Sequence, residues 1–286
     1  MIAAALTAAS VLLATVAPLG ASSDAEVDKK IESARKVLNF GDRVAQLSAL
    51  LVDSPYGEQP LGEGDGPEPR PRWRLDRFDC QTLVETVLAM ANAKSTAEAK
   101  LILDDIRYAS PGSVTFGARN HFFEAQWLPK NTEKGYVRDA VPNIDSKAPA
   151  AELVLDRTKW VNLPALKRLR PASGRIPEGR FPVRYLPLET ARRRKSSLEQ
   201  GTIVLVVRAA SKAVVRVTHM GFLIRTPQGL WVRHAGTEDK RVLDEDFDAF
   251  LDRQATYKKW KVVGVGLVAP VDARLRATQV VQKTAK

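Results

Sequence analysis

Two β-branched, apolar runs on either side of one short turn constrain the architecture of this chain more than any other stretch. Residues 213–224 read AVVRVTHMGFLI, residues 226–229 read TPQG and residues 230–235 read LWVRHA. Such runs, bounded by turn residues, mark strands. Pro at the second and Gly at the fourth position of TPQG suit a type I turn, so the runs return antiparallel as a hairpin. With Thr226 paired to Gly229, the numbers of opposed residues sum to 455. His234 then faces Gly221, and His219 is its diagonal neighbour on the same face. In that register the two imidazoles touch, with Gly221 leaving room beside them. A slip of one residue would send them to opposite faces.

Similar β-rich segments stand at 202–208, 214–224, 231–234 and 262–268, whereas the N-terminal half carries helical patterns. The expected class is therefore α+β, with N-terminal helices packed on an antiparallel sheet from the C-terminal half. One of these helices follows Asp79-Cys80. Leu83, Val84, Val87, Leu88 and Ala91 repeat at helical spacing, which predicts an amphipathic helix with Asp79 as its cap. The Pro- and Gly-rich stretch 56–72 reads as a long loop delivering the chain to it.

Cys80 is the single cysteine among 286 residues. By residue type a lone cysteine belongs in a core; its place at the mouth of a helix changes that reading. There the helix dipole and unpaired N–H groups favour thiolate over thiol, and the expected pKa lies below the ordinary value of about 8.5. A nucleophilic thiol needs a base, and the histidines are His121, His219 and His234. The hairpin joins the last two, one to take the thiol proton and the other to hold the first in its working tautomer.

The formal net charge is +11. Basic density peaks in a segment at about 134–200 that holds KRLR at 167–170, PASGRIPEGRFP at 171–182 and ARRRK at 191–195. It reads as a loop-rich insertion with one helix near 145–169. A basic surface attracts polyanions, an anionic envelope surface among them. Residues 1–23 carry no charged side chain and hold an apolar run followed by small residues, the pattern of a secretory signal peptide. Residues 24–286 then form one catalytic domain, exported to the periplasm or cell envelope of a bacterium, where nucleic acid is not an expected partner. The sequence shows no zinc-finger spacing, phosphate loop or dinucleotide fingerprint, and no cofactor is expected. It does not speak to oligomeric state.

The motifs SPYGEQPLGEG (54–64), FDCQTLVET (78–86), RNHFFEAQWLPKN (119–131), RYLP (184–187), GTIVLVV (201–207), THMGFLI (218–224) and VRHAG (232–236) come in an order that resembles the DUF1460 group. That group is described as N-acetylmuramoyl-L-alanine amidase-like and belongs to the NlpC/P60 superfamily of papain-like cysteine peptidases and amidases. The resemblance covers about residues 37–270. It implies a papain-like α+β fold, Cys80 as nucleophile, His219 as base and His234 as the residue that orients it. Tyr56, Asp79, Arg119, Asn120, His121 and Trp127 fall in matching motifs and are expected to bind substrate, although 119–121 could instead hold a loop. The implied substrate is peptidoglycan or its muropeptide fragments, cut at an amide bond. Three competing readings stay open: a stem-peptide endopeptidase of the same fold, a zinc amidase built on the three histidines, and a non-catalytic envelope-binding module using the basic face.

Overall fold

In a computed structural model the described residues are 19–58, 60, 72–110, 112, 114–156, 158, 177–209, 215–258 and 260–284. Four helices build the N-terminal layer: α1 (Asp24–Arg35), α2 (Phe40–Ala49), α3 (Cys80–Asn92) and α4 (Thr96–Arg107). Each begins after a residue whose side chain accepts a first-turn N–H: Ser23, Asn39, Asp79 and Ser95. These caps satisfy donors that a helix start leaves without partners.

The strands are β1 (Val137–Asp139), β2 (Ala150–Leu155), β3 (Gly179–Arg184), β4 (Leu186–Pro187), β5 (Ile203–Arg208), β6 (Val217–Thr226), β7 (Gly229–Gly236), β8 (Arg241–Asp246) and β9 (Val262–Pro270). Seven of them form one antiparallel sheet in the order β1-β9-β5-β6-β7-β8, with β4 also beside β9, while β2 and β3 pair separately. All six residues of β5 are buried: Ile203 to Val207 make a continuous apolar run with no polar face, and Arg208 ends it, its guanidinium donating to Thr218 Oγ1 and Trp260 O. Ile203, Leu205 and Val207 join the core under α1–α4. Val204 and Val206 point the other way, toward Phe247, Phe250 and Leu251 of a helix at Phe247–Ala255. Each such side chain withdrawn from water contributes roughly 1.5–3 kcal/mol, so helices hold the sheet from both faces. Along the chain, the short α5 (Leu128–Glu133), α6 (Val141–Ile144) and α7 (Leu188–Arg193) precede that helix, α8, and α9 (Arg274–Thr284) follows it.

The expected α+β class and the four expected strands hold, although residue 214 lies outside the described residues. Three expectations change. The helix expected near 145–169 gives way to a strand at 150–155, where β2 pairs along its length with β3 and buries Leu153 and Leu155 against Phe122. Alternate apolar residues there serve a sheet face. Residues 157 and 159–176, including KRLR, lie outside the described residues. The supposed loop-rich insertion holds β1–β4, α6 and α7, and several of its described cations are paired, Arg180 with Glu152, Arg184 with Asp139, Arg192 with Asp248 and Asp252, and Lys195 with Asp248.

Helix α3, expected to be amphipathic, is buried all round from Thr82 to Asn92. Its polar Glu85 survives burial because Arg107 pairs with it at 2.7 Å, both side chains being 1% exposed, and Trp127 Nε1 donates to it at 3.0 Å.

Of the expected signal segment, residues 1–18 lie outside the described residues; Leu19 is buried in the core and Ser23 caps α1. In the expected loop at 56–72, residues 59 and 61–71 lie outside them. Among the described residues no helix is long and apolar enough to cross a membrane.

Candidate active site

Cys80 is the first residue of α3. Asp79 fixes that end of the helix: its carboxylate accepts from Thr82 N at 2.7 Å, and its own N–H donates to Thr82 Oγ1 at 3.0 Å. The reciprocal cap occupies the carboxylate that the sequence reading gave to substrate.

Helix α3 packs on β6 and β7 where these strands part. Pairing of β6 with β5 continues down to Val217, but pairing with β7 stops at Phe222 opposite Arg233. The backbone N–H of Met220, next to His219, points to the half-buried thiol, as do those of Cys80 and Gln81. Tyr56 lies close by: burial and then the Cys80 and Asp79 charges raise its phenol pKa.

The hairpin register is the expected one, since every opposed pair in β6 and β7 sums to 455. His219 Nε2 and His234 Nδ1 are 2.9 Å apart, with the rings nearly perpendicular. His234 is 1% exposed and rests against Phe250 of α8 at 5.6 Å between ring centroids.

Beyond the pair stands a carboxylate that sequence reasoning missed. His234 Nε2 lies 3.0 Å from Glu245 Oε2, and the Arg253 guanidinium grips both Glu245 oxygens. Burial works against the Glu245 charge, but the bonds from Arg253 and His234 outweigh it and hold the carboxyl at about 2. The missing signal was β8: His234 opposes Leu243, so Glu245 is its diagonal neighbour on one face. The acidic run DEDFD reads locally as a helix start, which it also is, Asp246 capping α8.

Electrostatics correct the expected thiol. Burial first, and then the Asp79 charge, push Cys80 up to about 12 despite the three N–H groups aimed at it. Burial and the neighbouring His234 lower His219 to about 3. At neutral pH the two groups rest as thiol and neutral imidazole, and the helix dipole does not overcome desolvation. The neutral ring is free to act as a base.

The other expected binding residues divide. Arg119 and Asn120 are buried, and Asn120 N donates to Arg107 O. His121 Nε2 sits 2.6 Å from Phe116 O and its ring packs on Phe116. Trp127 is fully buried and bonded to Glu85, so it cannot line a substrate cleft. From the same motif Glu124, also missed in the sequence, accepts from the N–H groups of Arg216 and Val217 at the start of β6. Among the described residues no three His, Cys, Asp or Glu side chains are placed to hold a metal ion, so the three-histidine zinc site is not assembled.

A thiol at a helix start thus meets the backbone of the strand that carries a carboxylate-anchored histidine pair, on the helix and antiparallel-sheet frame of an α+β protein. The chain belongs to the AmiA-like family, described as N-acetylmuramoyl-L-alanine amidase-like, whose model matches residues 46–257. Among solved structures it resembles a Legionella pneumophila protein of the DUF1460 family, with a TM-score of 0.71 and 24% identity, covering 87% of this chain and 97% of that one. It also resembles a Bacteroides uniformis N-acetylmuramoyl-L-alanine amidase, with a TM-score of 0.62 and 21% identity over 86% of this chain and 99% of that one. A putative xylanase from Bacteroides fragilis shares the fold at a TM-score of 0.57 and 21% identity, over 78% of this chain and 98% of that one. No curated protein sequence matches the chain significantly.

Proposed function

We propose that this protein is a papain-like cysteine amidase of the NlpC/P60 type that hydrolyses the amide between the N-acetylmuramoyl lactyl group and L-alanine in peptidoglycan. The observation that carries the reading is the His219–His234 contact at 2.9 Å on the strand whose Met220 N–H points to Cys80. Membership of an amidase-like family supports the bond chosen.

In this mechanism Cys80 Sγ attacks the amide carbonyl as His219 takes the thiol proton. The C–N bond then breaks and the leaving amine carries that proton away. Water, deprotonated by His219, hydrolyses the thioester, releasing the acid and restoring the thiol. The N–H of Cys80 at the helix start is placed to steady the oxyanion. Tyr56, raised beside Cys80, lines the approach. The uncharged, apolar N-terminal run agrees with export to the periplasm, where such a substrate lies.

Mass spectrometry of products from defined muropeptides, with wild type and Cys80→Ser, tests the reading. The expected result is release of intact stem peptide by the wild type and none by the variant, with the fold kept. Cuts within the stem would make it an endopeptidase; undiminished turnover by Cys80→Ser would overturn thiol catalysis. Binding to sacculi without products would leave the envelope-binding alternative.

A further inference from the structure

Every polar contact from the His219–His234 pair ends on one acid, and that acid has no proton to give. Ionised Glu245 only accepts hydrogen bonds, so in its 3.0 Å contact the ring must donate from His234 Nε2. With one proton on its ring, His234 carries that proton on Nε2, so Nδ1 holds a lone pair. The 2.9 Å contact from His219 Nε2 to that atom requires a proton on His219 Nε2, which leaves the lone pair of His219 on Nδ1.

We propose that Glu245, clamped by Arg253, is a positioning residue that sets the tautomers of both histidines and so makes Nδ1 of His219 the atom that accepts the Cys80 proton. The step deepens the amidase reading and rests on it. Arg253 binds the carboxylate through Nε at 2.8 Å and through a second nitrogen, fixing its charge and its direction together. Phe250, fully buried, packs against His234 and lies under the Arg253 cation at 5.5 Å, which keeps the back of the relay dry. No other side chain in the described structure bonds His234, so the tautomer has no second determinant.

In Glu245→Gln, Arg253 retains the amide oxygen and the amide nitrogen turns to His234. That nitrogen donates, so His234 Nε2 must accept, and both rings swap tautomer. His219 Nδ1 then carries a proton and cannot take another.

Nitrogen-15 spectra of the imidazoles in histidine-labelled protein near neutral pH read this directly, with assignments from single His→Ala variants. The expected wild-type pattern is protonated Nε2 and bare Nδ1 on both His219 and His234. Glu245→Gln should exchange the two signals and lower kcat at least a hundredfold with KM little changed, and Glu245→Asp should restore part of the wild-type pattern. A protonated Nδ1 on His219 in the wild type overturns the proposal even if the variant fails to fold, and so does an unchanged pattern in a folded variant. The spectra report tautomers whether or not anything is hydrolysed. An inactive wild type with the same swap would therefore sink the amidase reading and leave the tautomer assignment standing.

Discussion

Gly221 and His234 face each other across the β6–β7 pair so closely that a Cβ on Gly221 would lie 2.8 Å from the Cβ of His234 and 2.6 Å from the carbonyl oxygen of Arg233. The glycine is what lets His234 turn in toward His219. Arg233 cannot retreat easily, because its guanidinium grips Asp244 and donates to Ala45 O and Ser48 Oγ of α2.

Gly221→Ala is therefore expected to push β7 away from β6 and break the histidine contact. Overpacking of this kind costs about 1–3 kcal/mol, read as a lower urea midpoint, with hydrolysis falling further than stability alone explains. A variant as stable and active as wild type would mean that the strands part freely here.

His219→Ala should abolish hydrolysis more completely than His234→Ala. A general base is worth roughly 10²–10⁴-fold, whereas water can partly replace a residue that only holds the base. Initial rates on a defined muropeptide decide it. Losses that are small in both variants would remove the pair from the chemistry.

Alkylation by iodoacetamide should be slow at pH 7 and quicken about tenfold per pH unit toward pH 12, because burial and Asp79 keep Cys80 a thiol and only thiolate reacts. This reverses the fast labelling that a helix-start thiol would otherwise show. Activity should fall in step with labelling and be indifferent to a chelator. Rapid labelling at pH 7 would mean that the resting site holds a thiolate.

Glu85→Ala should destabilise the fold by about 3–5 kcal/mol, since it strands the Arg107 charge in the core and removes the acceptor of Trp127. Chemical denaturation measures the loss. A shift under 1 kcal/mol would show that the pair balances its own desolvation and holds nothing else in place.

Local pattern determined a good deal of this protein. The register of His219 and His234 followed from Thr226 and Gly229, because the two-residue turn between them fixes a hairpin without help from the rest of the chain. The start of α3 was legible for the same reason, Asp79 capping through bonds that reach only to Thr82. The strands at 203–208 and 262–270 announced themselves as apolar runs. Tertiary structure decided what depends on partners distant in the chain. Residues 150–155 became a strand only by meeting 179–184, and Trp127 was taken from the cleft by Glu85, 42 residues away. Glu245 reached His234 only once β8 had paired with β7. The thiol is the sharpest case: sequence gives Cys80 a helix N-terminus that favours charge, but its pKa is set by how much water the fold removes, and desolvation outweighs the dipole.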